Sequence, residues 1–178
     1  MLKKLSEMRP AFVVMIVAVG ALVVNLGLGI AMGLADPMES DAYYYYQLAD
    51  SLSEGGGYII RDGFWPEDLS MRRMPGWPFM TSLALRVMPF APDAAVMRGL
   101  CLVLNAAVAV LLALLTLHLF KNGLAAIIAG AVYTVHPSGL LAAQEGLSEP
   151  AFLILAAGGT LLLLRGLPSF FCKDEEGE

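Results

Sequence analysis

Long apolar runs alternate along this chain with a single polar stretch of about sixty residues. The first run extends from Ala11 to Ala35, long enough to cross a hydrocarbon core that needs about 20 apolar residues. Three more follow the polar stretch: Gly99 to Phe120, Leu124 to about Ala143, and Ala151 to Leu164, the last extending to Leu167. With their flanks these predict membrane-spanning helices at 11–35, 98–120, 123–144 and 149–167.

A further apolar segment, Gly76 to Pro89, carries Pro78 near its start and Arg86 near its end. An arginine at mid-membrane costs roughly 2.5–3.5 kcal/mol on insertion scales. A short, proline-started, amphipathic segment of this kind suits an interfacial helix, expected at 76–90. Reading it as a fifth span is the alternative, and would exchange the sides of Lys121 and Glu149.

The polar stretch, 36–97, contains a second predicted helix. Ser40 is a good N-cap, Asp41 follows it, and Glu54-Gly55-Gly56-Gly57 ends the element near 54. Asp41, Tyr45, Leu48, Ala49 and Leu52 recur at helical spacing, which places Asp41 at the head of the apolar face. Tyr58-Ile59-Ile60 suggests a short strand, and Arg61 to Pro66 is rich in turn residues.

Composition supports lipid as the solvent: 58% of the 178 residues are apolar and 15% are charged. The fold class expected is an all-α membrane protein, with four transmembrane helices and a long extracytoplasmic first loop holding two juxtamembrane helices. Lys3, Lys4 and Arg9 in segment 1–10 hold the N-terminus in the cytoplasm, and Lys121 falls on the same side. The acidic tail, 168–178, is then cytoplasmic too. Gly33-Leu34-Ala35 resembles a signal-peptide cleavage site, but the apolar run exceeds the 7–15 residues of a signal core, so it is read as an uncleaved anchor.

Net charge is −5, without a basic block, which excludes nucleic acid as a partner. Cys101 and Cys172 are the two cysteines. They lie in unlike surroundings and match no zinc spacing.

Four features are candidates for chemistry. Asp41 beside Tyr43 to Tyr46 suits a general base or a cation ligand. It equally suits a helix-start acid with tyrosines in the interfacial belt. Arg72 and Arg73, in Met71-Arg72-Arg73-Met74-Pro75, present guanidinium forks suited to phosphate, or snorkel among headgroups. Arg98 opens the second span and either neutralises a phosphate or anchors the helix. Glu145 and Glu149, in Gln144-Glu145-Gly146-Leu147-Ser148-Glu149-Pro150, lie on the same side as Asp41. Glu149 before Pro150 also reads as an ordinary helix start. His136 is read as a packing residue, and His118 sits near a span end.

Together these pieces form a recognisable order: Asp41-Ala42-Tyr43, Gly55-Gly56-Gly57-Tyr58, Arg73-Met74-Pro75-Gly76-Trp77-Pro78, Met97-Arg98, and Leu147-Ser148-Glu149-Pro150. Over about residues 10–165 the chain resembles the N-terminal module of C-type (GT-C) polytopic glycosyltransferases. Within them it is most similar to bacterial protein O-mannosyltransferases and lipid A aminoarabinose transferases.

The resemblance implies transfer of a sugar from a polyprenyl-phosphate carrier to an extracytoplasmic acceptor, at the bacterial cytoplasmic (inner) membrane. It implies Asp41 and Glu149 as the catalytic acids, and Arg72, Arg73 and Arg98 near the phosphate. A divalent cation, Mg or Mn, is the candidate cofactor, with Asp41, Glu145 and Glu149 as its ligands. Membrane lipid and other membrane protein chains are the expected partners.

Many relatives carry a second acid directly after the aspartate, where this chain has Ala42. Full enzymes of this type also carry many more spans. The expectation is therefore a module incomplete alone, with a non-catalytic accessory subunit of a larger membrane complex as the alternative. A small carrier or channel fits less well, because the spans hold almost no ionisable group along a path.

Overall fold

The computed structural model describes residues 9–38, 40–60 and 74–171. Among these residues the chain is entirely helical, with seven helices. They are α1 (Pro10–Ala31), α2 (Ser40–Ser53), α3 (Gly76–Val87), α4 (Asp93–Phe120), α5 (Gly123–Thr134), α6 (Pro137–Glu145) and α7 (Glu149–Phe171). Tyr58, Ile59 and Ile60 do not form a strand. Helices α1, α4 and α7 are long and apolar enough to cross a membrane. Helices α5 and α6 together make a fourth candidate, bent by 51°. Among the described residues the chain is thus all-helical, with three or four candidate spans, which is compatible with a multi-pass membrane protein.

The bend follows from Pro137. Proline lacks an N–H, and its ring disfavours helical geometry in the residue before it. His136 accordingly adopts φ −68°, ψ 121°, and α6 starts afresh with the proline in its first turn. The expected continuous helix over 123–144 is therefore two helices. The α4–α5 connection is short for two local reasons. Lys121 takes up left-handed φ 51° at the end of α4, and the Asn122 side chain accepts from the N–H groups of Leu124 and Ala125 to start α5.

Helix α4 is the axis of the bundle, packing against α1, α3, α5, α6 and α7. Its 28 residues extend about 42 Å at 1.5 Å per residue. It begins at Asp93, five residues ahead of the expected span, because Pro92 suits the position before a first turn and Asp93 complements the helix dipole. That earlier start places Arg98 inside the bundle wall.

Small residues at four-residue spacing decide how closely the helices approach. The buried face of α1 is Val13, Val17, Ala21, Asn25 and Gly29, and it meets Ala106, Ala109 and Ala113 of α4 and Ala126 of α5. In lipid, where apolar surface gains nothing from leaving water, such contact rests on close van der Waals packing. A Cβ on Gly130 would lie 2.6 Å from Val17 Cγ1 and 3.3 Å from the Ala109 carbonyl oxygen.

Helices α2 and α3 pack on each other at the end of the bundle where α4 begins, held by Ala49, Leu85 and Val96. The buried strip of α2 runs through Ala42, Leu48, Ala49 and Ser51, and Asp41 is exposed. Asp41 is therefore beside the apolar face, not at its head, because the first turn rotates Ala42 inward.

Gly130→Ala is expected to lower stability by about 1–3 kcal/mol, the usual cost of overpacking, because the Ala109 backbone cannot move aside. Gly20→Ala, where an added Cβ meets nothing within 4 Å, should leave stability unchanged or raised. Thermal unfolding of both variants in detergent micelles checks the contrast.

Candidate functional site

The α2–α3 end of the bundle is organised around the Arg98 guanidinium. Its Nε donates to the Gln144 carbonyl at 2.8 Å. Nη1 donates to the carbonyls of Gly33, Leu34 and Asp36, and Nη2 to that of Pro37. One side chain thus gathers four carbonyls of the segment that follows α1 and one in the last turn of α6. Arg98 is itself 8% exposed. Arg86 does the same for α2, donating to the Leu52 and Ser53 carbonyls at 2.6 and 3.0 Å.

The turn from α6 to α7 is held by three further contacts. Gly146, at φ +80°, closes α6 with the Leu147 N–H returning to the Ala142 carbonyl, a left-handed cap that glycine adopts without strain. Trp77 Nε1 donates to the Gly146 carbonyl at 3.1 Å, and the Cys101 thiol donates to the Leu147 carbonyl at 3.2 Å. Side chains from α3 and α4 therefore hold carbonyls at 144, 146 and 147, and with them the backbone carrying Glu145 and Glu149.

Ala42, Trp77, Met97, Cys101, Leu102 and Ala143 form one buried cluster, with Leu147 and Ala151 packed on it. It gathers the starts of α2, α3, α4 and α7 at one end of the molecule. Tyr46 ties α2 to α4 by donating to Asp93 Oδ2 at 2.9 Å. Burial, with that carboxylate beside it, pushes the Tyr46 phenol well above its usual range, so it remains a donor at neutral pH.

The expected site residues fall as follows. Asp41 is exposed in the first turn of α2. Glu149 is exposed in the first turn of α7, and Glu145 is exposed in the last turn of α6. Arg98 is buried, with its donors on backbone carbonyls. Arg72 and Arg73 lie outside the described residues. Among the described residues no three His, Cys, Asp or Glu side chains converge as a metal-holding group.

Two features were not anticipated from the sequence. The first is a polar chain inside the bundle. Asn25 Nδ2 donates to the Ala21 carbonyl, Asn105 Nδ2 to Asn25 Oδ1 at 2.8 Å, and the Tyr133 hydroxyl to Asn105 Oδ1 at 2.8 Å. It joins α1, α4 and α5, and both asparagines are fully buried. A lone asparagine in each of two apolar runs was the available signal, since polar side chains in spans turn inward to find partners.

The second is a groove of about 560 Å³ over α4, between α5–α6 and α7. Leu112, Ala129, Val132 and Leu153 line its apolar part, while Asn105, Tyr133, His136, Ser138 and Glu149 contribute polar groups. His136, read from sequence as a packing residue, is exposed at this groove.

Comparison with protein-family models, with curated proteins and with solved structures gives no match.

Arg98→Gln removes most of the donors to five carbonyls, and a loss of about 3 kcal/mol is expected from hydrogen bonds to a charged group. Chemical unfolding in micelles measures it, and proteolysis at 33–38 should accelerate in parallel. A double-mutant cycle of Asn25→Leu and Asn105→Leu should give a coupling of about 0.6 kcal/mol and under about 1.7 kcal/mol.

Proposed function

We propose that this chain is a GT-C-like glycosyltransferase module acting at the outer face of a bacterial cytoplasmic membrane. It moves a sugar from a polyprenyl-phosphate carrier to an extracytoplasmic acceptor, and it works with further membrane chains or spans. The α2–α3 end is then the outer end, and both termini are cytoplasmic.

The observation that carries the reading is the common frame around the start of α4. Asp41 follows the Ser40 start of α2 and precedes buried Ala42. Glu149 follows a turn whose backbone is held by Arg98, Trp77 and Cys101. Both acids thereby belong to one apolar cluster's rim, on the side where a membrane-embedded donor would meet a water-borne acceptor.

In this reading the Asp41 carboxylate takes the proton from the acceptor. The acceptor's electron pair forms the bond to the anomeric carbon as the bond from that carbon to the phosphate oxygen breaks. Arg72 and Arg73 stabilise the charge left on the departing phosphate. Glu149 orients acceptor or sugar hydroxyls. Arg98 frames the site through the backbone it holds. Among the described residues Asp41, Glu145 and Glu149 do not converge as a group that would hold a Mg or Mn ion.

A second reading, a non-catalytic subunit of a larger membrane complex, is favoured by one observation: the Arg98 guanidinium already serves five carbonyls, as a frame without a ligand requires.

Native purification in mild detergent, followed by a polyprenyl-phosphosugar transfer assay, separates the readings. Asp41→Asn and Glu149→Gln, both at exposed positions, should each reduce transfer by about 10²-fold or more with the fold retained. Transfer unaffected by both substitutions overturns the first reading. A stoichiometric complex that carries all its activity without these acids establishes the second.

A further inference from the structure

The groove between α5–α6 and α7 has a specific hydrogen-bonding polarity. The Tyr133 proton is directed to Asn105 Oδ1, so toward any ligand the phenol oxygen is an acceptor. Glu149 is likewise an acceptor, and it is the one Asp, Glu, Lys or Arg among the residues lining the groove. Its charge is offset by the N-terminus of α7, where unpaired N–H groups carry partial positive charge. A phosphate would meet no lysine or arginine among these lining residues. An ammonium reaching the phenol oxygen beside Leu112, Val132 and Leu153 would lose its hydration among apolar walls. A neutral hydroxyl-bearing head meets neither cost.

The groove is also open to the side, because α5 and α7 both pack on α4 while, among the described residues, no substantial packing joins them to each other. Val132, 60% exposed, stands at this opening. A volume of about 560 Å³ is within the range of small-molecule sites, about 300–1,000 Å³.

We infer that this groove binds a membrane amphiphile with an uncharged polyol head. The chain lies along Leu112, Val132 and Leu153, and the head hydroxyls donate to Tyr133 and Glu149. The groove shares Glu149 with the proposed transfer site, but its occupancy is read without any transfer assay.

The test uses the full chain in nanodiscs and three probes with one acyl chain length: 1-monooleoylglycerol, oleate and oleylamine. Monooleoylglycerol should bind at one per chain, and about tenfold or more tighter than either charged probe. Val132→Trp, which blocks the opening from a lipid-facing position, should weaken it at least about tenfold. Ile128→Trp, exposed on the same helix and outside the groove, should leave it unchanged. A photoreactive monooleoylglycerol on the unmutated chain should label the segments around 112, 132 and 153. Equal or tighter binding of oleate or oleylamine overturns the assigned head chemistry. Binding indifferent to Val132→Trp, or labelling elsewhere, overturns the assigned place.

Discussion

Where a helix stops near a membrane, its last carbonyls lose their partners in a medium that offers no substitute. In this protein one side chain meets that problem at the end of α6 and, from the same place, holds the segment that leaves α1. Arg98 reaches the carbonyls of 33, 34, 36 and 37 on one side and of 144 on the other. The rest of the α2–α3 end depends on it. The 144–147 turn that Trp77 and Cys101 also grip, and the path by which the chain leaves α1 toward α2, both pass through its donors.

A second constraint acts deeper. Asn25, Asn105 and Tyr133 connect three helices by directed bonds within a zone of alanine and glycine contacts. Apolar packing in lipid is weakly directional, and many helix registers would fill space about equally well. The polar chain selects one. Its Tyr133 end also borders the groove, so the bonds that set register also decide which polar atoms the groove presents.

The apolar runs made the helical membrane character legible, because lipid requires every spanning backbone to satisfy its own hydrogen bonds. The α2 boundaries were legible from Ser40 and the glycines at 55–57, and α3 as a short separate helix from Pro78 and Arg86. The break at 136 was not drawn, although Pro137 announces it; the apolar run across it outweighed a local signal. The candidate site was less legible. Asp41 and Glu149 were named as acids on one side; each is exposed in the first turn of its helix, within two residues in sequence of Ala42 or Ala151 of one apolar cluster. Arg98 was singled out by position, yet its partners lie 46 to 65 residues away in the chain, and no local pattern reveals them.

Sequence by itself determined where helices form, which of them are apolar enough to cross a bilayer, and where capping and proline chemistry end them. These are properties of neighbouring residues and of the solvent they suit. Tertiary structure alone decided that Arg98 faces backbone carbonyls, that Asn25, Asn105 and Tyr133 form one chain of bonds, and that α5 and α7 leave a groove between them. Each of these depends on which faces of distant helices meet, and that is set by packing among small side chains whose individual preferences are nearly equal.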